Sequence, residues 1–354
     1  MSQETYQKLR IYLDRLSGGF RATTNDADIR LLQHLYTPEE AELAIKLSLK
    51  RETAQQIADR LKQPQDKIEN QLNTMAEKGL IISVETEGQI HYQAAPWMLG
   101  IWEFQVNRYS EELVQLFNEY YKSRLPSKEE TTKSDRELRT IPINQSIDTT
   151  QTILPYEEAM KLVDAHDKFA VAQCVCRTHA KIEGRGCDAP METCLFFGDF
   201  ADYYLRTGKG RSITKPEIKE ILDNANKANL VLNPTNSKFV SAICCCCGDC
   251  CLYLGSLKSY PKPAEVVVSS FIVEYDADVC IGCNVCIGRC QMDAITADEP
   301  IVSVNMDRCI GCGLCVSTCP TNALSLKRKP EEEIYEMAET LMEHWYNKTE
   351  KDLR

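Results

Sequence analysis

Cysteine is the residue type that could carry chemistry in this chain. The sequence has 354 residues and 18 cysteines, and all of the cysteines lie between Cys174 and Cys319. Ten of them fall between Cys174 and Cys251, and the other eight between Cys280 and Cys319. Thiolates bind soft metals and iron–sulfur clusters, form disulfides or act as nucleophiles. Because the first 173 residues contain none, the cysteines belong to particular modules.

The eight downstream cysteines form a duplicated motif. Segments 280–296 (CIGCNVCIGRCQMDAIT) and 309–325 (CIGCGLCVSTCPTNALS) align at a constant offset of 29 residues, and both read C-x2-C-x2-C-x3-C. Three cysteines at this spacing can wrap one side of a cubane cluster, whereas the fourth is too far along the chain to close the same cluster. The repeat resembles the bacterial two-cluster ferredoxin.

This resemblance implies two [4Fe–4S] clusters in which the remote cysteines are exchanged between the copies. One cluster would be held by Cys280, Cys283, Cys286 and Cys319. The other would be held by Cys309, Cys312, Cys315 and Cys290. Zinc prefers two separated C-x2-C pairs and would leave no role for the exchange.

Residues beside the ligands carry further expectations. Gly282 and Gly311 should let the backbone approach inorganic sulfide. Four apolar side chains should shield the clusters from water: Ile281, Ile287, Ile310 and Val316. Pro320 follows the last cysteine of the second copy, whereas Gln291 takes that place in the first. This departure from the ferredoxin pattern bears on the solvent exposure of the cluster that includes Cys290.

The ten upstream cysteines are dense enough to need a metal in a reducing compartment. We take as candidate metal ligands Cys174, Cys176, Cys187, Cys194, Cys244, Cys245, Cys246, Cys247, Cys250 and Cys251. In an extended segment Cys244 and Cys246 would face one way, and Cys245 and Cys247 the other, so the run could serve two centres. One or two further [4Fe–4S] clusters are favoured over zinc, and zinc over reactive or disulfide-forming thiols.

The same cysteines carry a second resemblance. The pattern C-V-C-R … C-x6-C … I-C-C-C-C-G-D-C-C is similar to that of a group of iron–sulfur proteins of strict anaerobes, in which such segments precede a two-cluster ferredoxin module. The resemblance implies a cofactor type and no particular reaction. Arg177 and the basic segment 206–211 (RTGKGR) are expected to place positive charge near these thiols, while His179 is a minor candidate ligand.

The elements around the cysteines predict an α+β, multidomain chain. It would contain a winged helix-turn-helix domain, a cysteine-rich α+β domain, a ferredoxin-like (βαβ)2 module and a C-terminal helix. The expected divisions are a helical segment at 1–36, a winged-helix-like domain at 37–96, a long helix at 97–125, a linker at 126–152, a cysteine-rich metal-binding module at 153–262, the repeat module at 270–328 and a helix at 330–349.

Residues 37–95 resemble a winged helix because three helical patterns precede a hairpin. The helices are expected at 38–50, 53–61 and 65–78, and the strands at 80–84 and 89–93. The expected recognition helix, 65–78, has two lysines against three acidic residues, although polar side chains such as Gln65 and Asn70 could read base edges. This charge favours structural or protein-docking use over DNA binding.

Composition excludes several classes of protein. The formal net charge of −11 argues against non-specific nucleic-acid binding. We expect no secretory signal, no membrane span and a cytoplasmic location. Because no hydrolase, transferase or dinucleotide-binding motif is apparent, whether the chain is an enzyme stays open between an electron carrier and an oxidoreductase component.

The favoured function is electron transfer to or from redox partner proteins, with the repeat module relaying electrons to further clusters at 174–251 as part of an anaerobic oxidoreductase. One alternative is a redox-sensing transcriptional regulator that uses the winged helix. The other is a zinc-stapled interaction protein with a ferredoxin domain.

Overall fold

A computed structural model describes residues 2–125, 132–143, 154, 157–350 and 353–354 of the chain. The N-terminal helices are α1 Ser2–Asp14, α2 Ala27–Leu35, α3 Pro38–Ala44, α4 Ala54–Leu61 and α5 Gln65–Glu77. A sheet of three strands accompanies them, in the order β1 Glu52–Thr53, β3 Gln89–Ala94 and β2 Ile81–Thr86. The predicted order of three helices followed by a hairpin is therefore present.

Local sequence signals explain where these helices begin and end. Thr37 and Thr53 each accept a hydrogen bond from the backbone three residues on, and Glu40 and Gln56 complete the two capping boxes. The first predicted helix is shorter than expected and ends at Ala44. Gly79 follows α5 at φ +75°, where an added Cβ would lie 2.6 Å from Phe104 Cβ. Glycine is therefore required at the turn that leads into the hairpin.

The predicted single helix over 97–125 is wrong. Trp97–Ile101 is an irregular turn, Glu103–Gln105 is a short 3₁₀ turn, and only Glu111–Ser123 (α6) is a regular helix. The hydroxyl of Ser110 accepts a hydrogen bond from the backbone of Leu113 and so starts α6 separately. The break lets Trp97 and Trp102 enter the core, where Trp102 stacks on Phe117 at 3.7 Å between ring centroids.

The cysteine-rich module is built on an antiparallel sheet of five strands. Their order across the sheet is β6 Arg211–Ser212, β4 Phe169–Gln173, β5 Glu192–Phe197, β9 Ala242–Cys246 and β7 Val231–Pro234. The surrounding helices are α7 Ala159–Asp164, α8 Val175–Ile182, α9 Gly198–Arg206, α10 Lys215–Lys227, α11 Leu252–Lys258 and α12 Pro263–Val266, and a short strand β8 spans Ser237–Phe239. A capping box of Thr214 and Glu217 starts α10.

One hydrophobic core joins the N-terminal helices to a face of this sheet. Phe196 and Ala242 belong to the core that contains the apolar side chains of α1 to α6, whereas Leu195 and Ile243 point into a second core on the opposite face. Helix α9 lies at the junction, and Tyr203 Oη donates to the backbone oxygens of Ala76 and Ile81. The predicted units 37–96 and 153–262 therefore share a core.

The repeat module contains two successive strand–helix–strand units. The first has β10 Phe271–Tyr275, α13 Val285–Arg289 and β11 Ile295–Asp298, and the second has β12 Ile301–Val304, a 3₁₀ turn at Val316–Thr318 and β13 Leu324–Arg328. Strand β10 pairs with β13, and β11 with β12. The outer strands of the two copies therefore hold the two motifs side by side.

Two predictions at the ends of modules need correction. Within 132–143 the expected linker is packed against the protein, because Ile141 bridges to Leu232 and the backbone N–H of Ile143 donates to Cys312 O. The rest of the predicted linker lies outside the described residues. The expected helix over 330–349 is divided into a 3₁₀ turn at Glu331–Glu333, a strand β14 Ala338–Thr340 paired with β8, and α14 Leu341–Lys348. Thr340 caps α14 and so sets its late start.

The buried ammonium of Lys209 generates a testable pH dependence. Lys209 Nζ donates to the backbone oxygens of Glu77 and Ala76 at the end of α5, and burial lowers the pKa of Lys209 to about 8. Between pH 8 and 10.5 the unfolded chain binds more protons at this residue, so stability should rise with pH by up to about 3 kcal/mol. Lys209→Met should remove this rise in the thermal unfolding midpoint.

The exposed Lys219→Met variant is the matched control for the loss of one positive charge. Parallel profiles for the Lys209→Met variant and the unmodified protein would contradict the assignment.

Candidate metal and cluster centres

The first motif copy and the last cysteine of the second copy meet around one cavity. Its lining includes four sulfur-bearing side chains together with Tyr275: Cys280, Cys283, Cys286 and Cys319. Cys319 reaches the cavity because β13, which follows it, pairs with β10, which precedes Cys280. The nearby Tyr275 hydroxyl, followed by backbone N–H groups, lowers the pKa of Cys280, which favours the thiolate that iron requires.

The other predicted set surrounds Cys290. Burial raises the pKa values of Cys309, Cys312 and Cys315, and that of Cys312 reaches about 12. The nearby Cys290 thiol adds to the increase at all three. The backbone N–H of Ala294 donates to Cys290 Sγ at 3.2 Å. The structure thus brings the remote cysteine of each copy to the other copy, as the exchange requires.

The two sets differ sharply in exposure. Cys283 is exposed, and Ile281, which lines the same cavity, is itself 64% exposed. At the equivalent place in the second copy Ile310 is 2% exposed, and Leu314 is fully buried in the core of the cysteine-rich module. The set containing Cys290 is therefore the inner one, although Cys290 is followed by Gln291 where Cys319 is followed by Pro320.

Glycine is required at two positions of the repeat by contacts within the protein backbone. Gly282 and Gly311 have φ of +63° and +70°, and an added Cβ would lie 2.0 Å from Pro300 O and from Phe271 O respectively. The close approach is thus between segments of the protein backbone. Each glycine lets the loop that carries its cysteines contact the backbone at the start of a strand, β12 for Gly282 and β10 for Gly311.

In the cysteine-rich module six thiols interact in a closed sequence. We call the set the six-thiol group, and its members in order of contact are Cys174, Cys176, Cys251, Cys246, Cys244 and Cys194, which returns to Cys174. Hydrogen bonds from Cys176 and Cys194 lower the pKa of Cys174, whereas the pKa values of those two are raised by the same contacts. A metal would be needed to hold all six as thiolates.

Three further thiols converge separately with one carboxylate. Cys187, Cys247 and Cys250, which we call the three-thiol group, each place a ligand atom within 4.8 Å of the others and of Asp249. Cys244 and Cys246 thus belong to one group of thiols and Cys247 to another, as strand alternation predicts. Cys245 joins neither group. Burial raises its pKa to about 12.

A buried cation supports the three-thiol group. Arg177 is fully buried, and its guanidinium donates to Cys245 O, to Thr193 and, at 3.7 Å, to Cys247 Sγ. The thiols hold the pKa of Arg177 above its usual range despite the opposing effect of burial. A guanidinium in this position stabilises anionic sulfur.

A tyrosine from the broken helix region faces the six-thiol group. Tyr109 Oη is buried and lacks a hydrogen-bond partner among the described residues. Burial, followed by the charges of Cys176, Glu103 and Cys174, raises its pKa well above the usual range. A buried hydroxyl beside thiols and without a partner is satisfied when a sulfur-containing cofactor supplies an acceptor.

The remaining sequence candidates have other direct partners. Arg206 and Arg211 of the basic segment pair with the carboxylates of Asp202 and Glu192. His179 Nε2 lies 3.1 Å from Asn118 Oδ1, and its ring packs against Trp102 and Phe117, away from the thiols. Asp249 and Tyr109 were missed by sequence reasoning, although the acid inside C-G-D-C was a readable signal.

The cysteine-run turn contacts the repeat module directly. Gly248 N–H donates to Gln291 Oε1 at 2.5 Å, and Lys258 pairs with Asp293 at 3.0 Å. Arg289 crosses the same boundary to Asn226 and Asn229. These contacts place the loop that follows Cys290 beside the turn between Cys247 and Cys250.

Comparison with known proteins agrees with the repeat. The model of the 4Fe-4S dicluster domain matches residues 273–326. No curated protein and no solved structure gives a significant match to the chain. Residues 273–326 are thus a ferredoxin-type iron–sulfur module, which together with the clustered cysteines supports a role in electron transfer. Among the described residues, no helix has the length and apolar character needed to cross a bilayer.

The contact between modules can be tested at one glycine. An added Cβ on Gly248 would lie 2.3 Å from Gln291 O, whereas one on Gly255 would meet nothing within 4 Å. Gly248→Ala should lower stability by about 1–3 kcal/mol because backbone must shift at the boundary, and Gly255→Ala should leave it unchanged or slightly higher. Anaerobic thermal unfolding measures both, and equal midpoints would contradict the tight contact.

Proposed function

We propose that this chain is an iron–sulfur electron-transfer protein that binds two [4Fe–4S] clusters in its repeat module and serves as a subunit or partner of an anaerobic oxidoreductase. The observation that carries the proposal is the position of Cys319, which lines the same cavity as Cys280, Cys283 and Cys286 of the other copy. A zinc site built from local C-x2-C pairs has no use for a cysteine from so far along the chain.

The residues of the two motifs have distinct tasks. The outer cluster would be held by Cys280, Cys283, Cys286 and Cys319, and the inner one by Cys309, Cys312, Cys315 and Cys290. A bound [4Fe–4S] cluster accepts and releases a single electron, at a potential set by hydrogen bonds and solvent exposure. Backbone donors such as Ala294 N–H stabilise the thiolates. Burial around Ile310 and Leu314 keeps water from the inner set.

The outer set is the proposed docking face for a redox partner protein. Cys283 is exposed, and Val279, Ile281 and Val285 around it are 44%, 64% and 48% exposed. Exposed apolar side chains that rim a redox site suit a transient protein contact. The partner would approach the exposed Cys283 without rearranging the half-buried inner cysteines.

The six-thiol group is the proposed site of a further iron–sulfur cluster. Four of its six thiols are buried, it lies in the module that contacts the loop after Cys290, and the Tyr109 hydroxyl, which has no partner among the described residues, faces it. More thiols are present than one cubane requires, so spare ligands exist. Electrons would then pass between the docking face and the interior of the cysteine-rich module.

The N-terminal helices and hairpin resemble a winged helix, and we propose a structural role for them. Helix α9 and Lys209 cover the end of α5 and the start of β2, and two polar side chains of α5, Gln71 and Asn73, bond within the protein. A DNA-reading helix needs such side chains free and a basic surface. Specific duplex binding that changed with cluster redox state would favour the regulator instead.

The proposal is tested on anaerobically purified full-length protein. Iron and acid-labile sulfide should each reach at least about eight per chain, and dithionite reduction should give EPR signals of two interacting [4Fe–4S]⁺ centres. A preparation that stays iron-poor and colourless after reconstitution would overturn the proposal.

Ligand exchange between the copies predicts the behaviour of single cysteine variants. Cys319→Ala should lose the same EPR component as Cys280→Ala, although Cys319 is close in sequence to Cys312. Each of these variants should lose about four irons, or about one if a three-iron cluster remains. Cys245→Ala, whose sulfur belongs to neither upstream group, is the control. If Cys319→Ala instead matched Cys312→Ala, the exchange would be wrong.

A further inference from the structure

The three-thiol group differs from a cubane site in the spacing of its sulfurs. Cys187 Sγ lies 3.6 Å from Cys247 Sγ and 3.8 Å from Cys250 Sγ. Four ligands around one zinc ion at about 2.3 Å form a tetrahedron whose sulfur–sulfur edge is about 3.8 Å. In a cubane each thiolate binds a different iron and points away from the cube, so the sulfurs stand much farther apart.

A fourth ligand of the right kind completes the set. A carboxylate oxygen of Asp249 lies within 4.8 Å of all three sulfurs. The spacing Cys247-x2-Cys250 is that of a zinc-binding turn, and Cys187 comes from the loop after α8 to close it. Sulfur distances of 3.6 and 3.8 Å are far longer than a disulfide bond.

Charge and hydrogen bonding also suit a bound dication. Three thiolates and one carboxylate around Zn²⁺ leave two negative charges in excess, and the buried Arg177 guanidinium donates to Cys247 Sγ at 3.7 Å. The backbone N–H of Cys250 donates to Asp249 Oδ1 at 2.9 Å and orients the carboxylate. Hydrogen bonds from groups outside the ligand set commonly fix such ligands.

We propose that Cys187, Cys247, Cys250 and Asp249 bind one zinc ion, separate from any iron–sulfur cluster in the chain. The ion staples the turn after β9 to the loop after α8. Gly248 lies in this turn, and its backbone N–H donates to Gln291 of the repeat module. The ion therefore also fixes the turn that contacts the repeat module. The proposal stands whether or not the repeat module transfers electrons.

The test uses anaerobically purified full-length protein and measures zinc and iron together. Zinc should be about one per chain, and zinc-edge X-ray absorption should show three sulfurs at about 2.3 Å and one oxygen at about 2.0–2.2 Å. Cys250→Ser should weaken zinc binding at least about tenfold in a zinc-buffered solution while the EPR signals of the repeat module persist. Cys245→Ser, in the same cysteine run, should keep its zinc.

Asp249→Cys provides a test that does not depend on removing a buried thiol. This side chain is exposed, and the variant should raise the sulfur count at zinc from three to four while zinc stays at one per chain. Absence of zinc in the unmodified protein, loss of iron in place of zinc in Cys250→Ser, or an unchanged sulfur count in Asp249→Cys would each overturn the proposal. None of these outcomes alters the iron and EPR results that test electron transfer by the repeat module.

Discussion

The register between β5 and β9 is the constraint on which the arrangement of thiols depends. Cys194 lies directly opposite Cys244, with Leu195 opposite Ile243. Because side chains alternate across a strand, a slip of one residue would turn Cys244 and Cys246 to the other face and bring Cys245 in their place. The two hydrophobic cores on either side of the sheet oppose such a slip of β9, since Ile243 would leave one core for the other.

The same sheet explains how the N-terminal helices come to cover the thiols of the cysteine-rich module. Their core continues onto the face of the sheet that carries Cys174, Cys194 and Phe196. Tyr109, which lies between the 3₁₀ turn and α6, reaches the six-thiol group from this side. The helices therefore exclude water from buried thiols, and low polarity around a cluster is one of the factors that set its potential.

Two nearly identical motifs acquire different environments from what packs on them. The loop at Ile281 faces solvent, whereas the loop at Ile310 lies under the cysteine-rich module, with Ile143 N–H bonded to Cys312 O. A duplicated sequence thus yields one face suited to a partner and one suited to an interior contact. The turn that carries Gly248 joins the loop after Cys290, which belongs to the first copy, to the three-thiol group.

The sequence by itself determined the iron–sulfur character of residues 280–319, because the spacing of the repeat is local chain geometry. It also determined the capping boxes at Thr37, Thr53 and Thr214, which depend on residues three positions apart. The pattern of apolar residues wrongly predicted single helices at 97–125 and 330–349. In both ranges, apolar side chains at helical spacing enter the core from separate short elements. Only the tertiary structure divided the ten upstream cysteines into groups and added Asp249 and Tyr109. That division depends on strand register and loop closure between residues far apart in the chain, which sequence spacing does not encode.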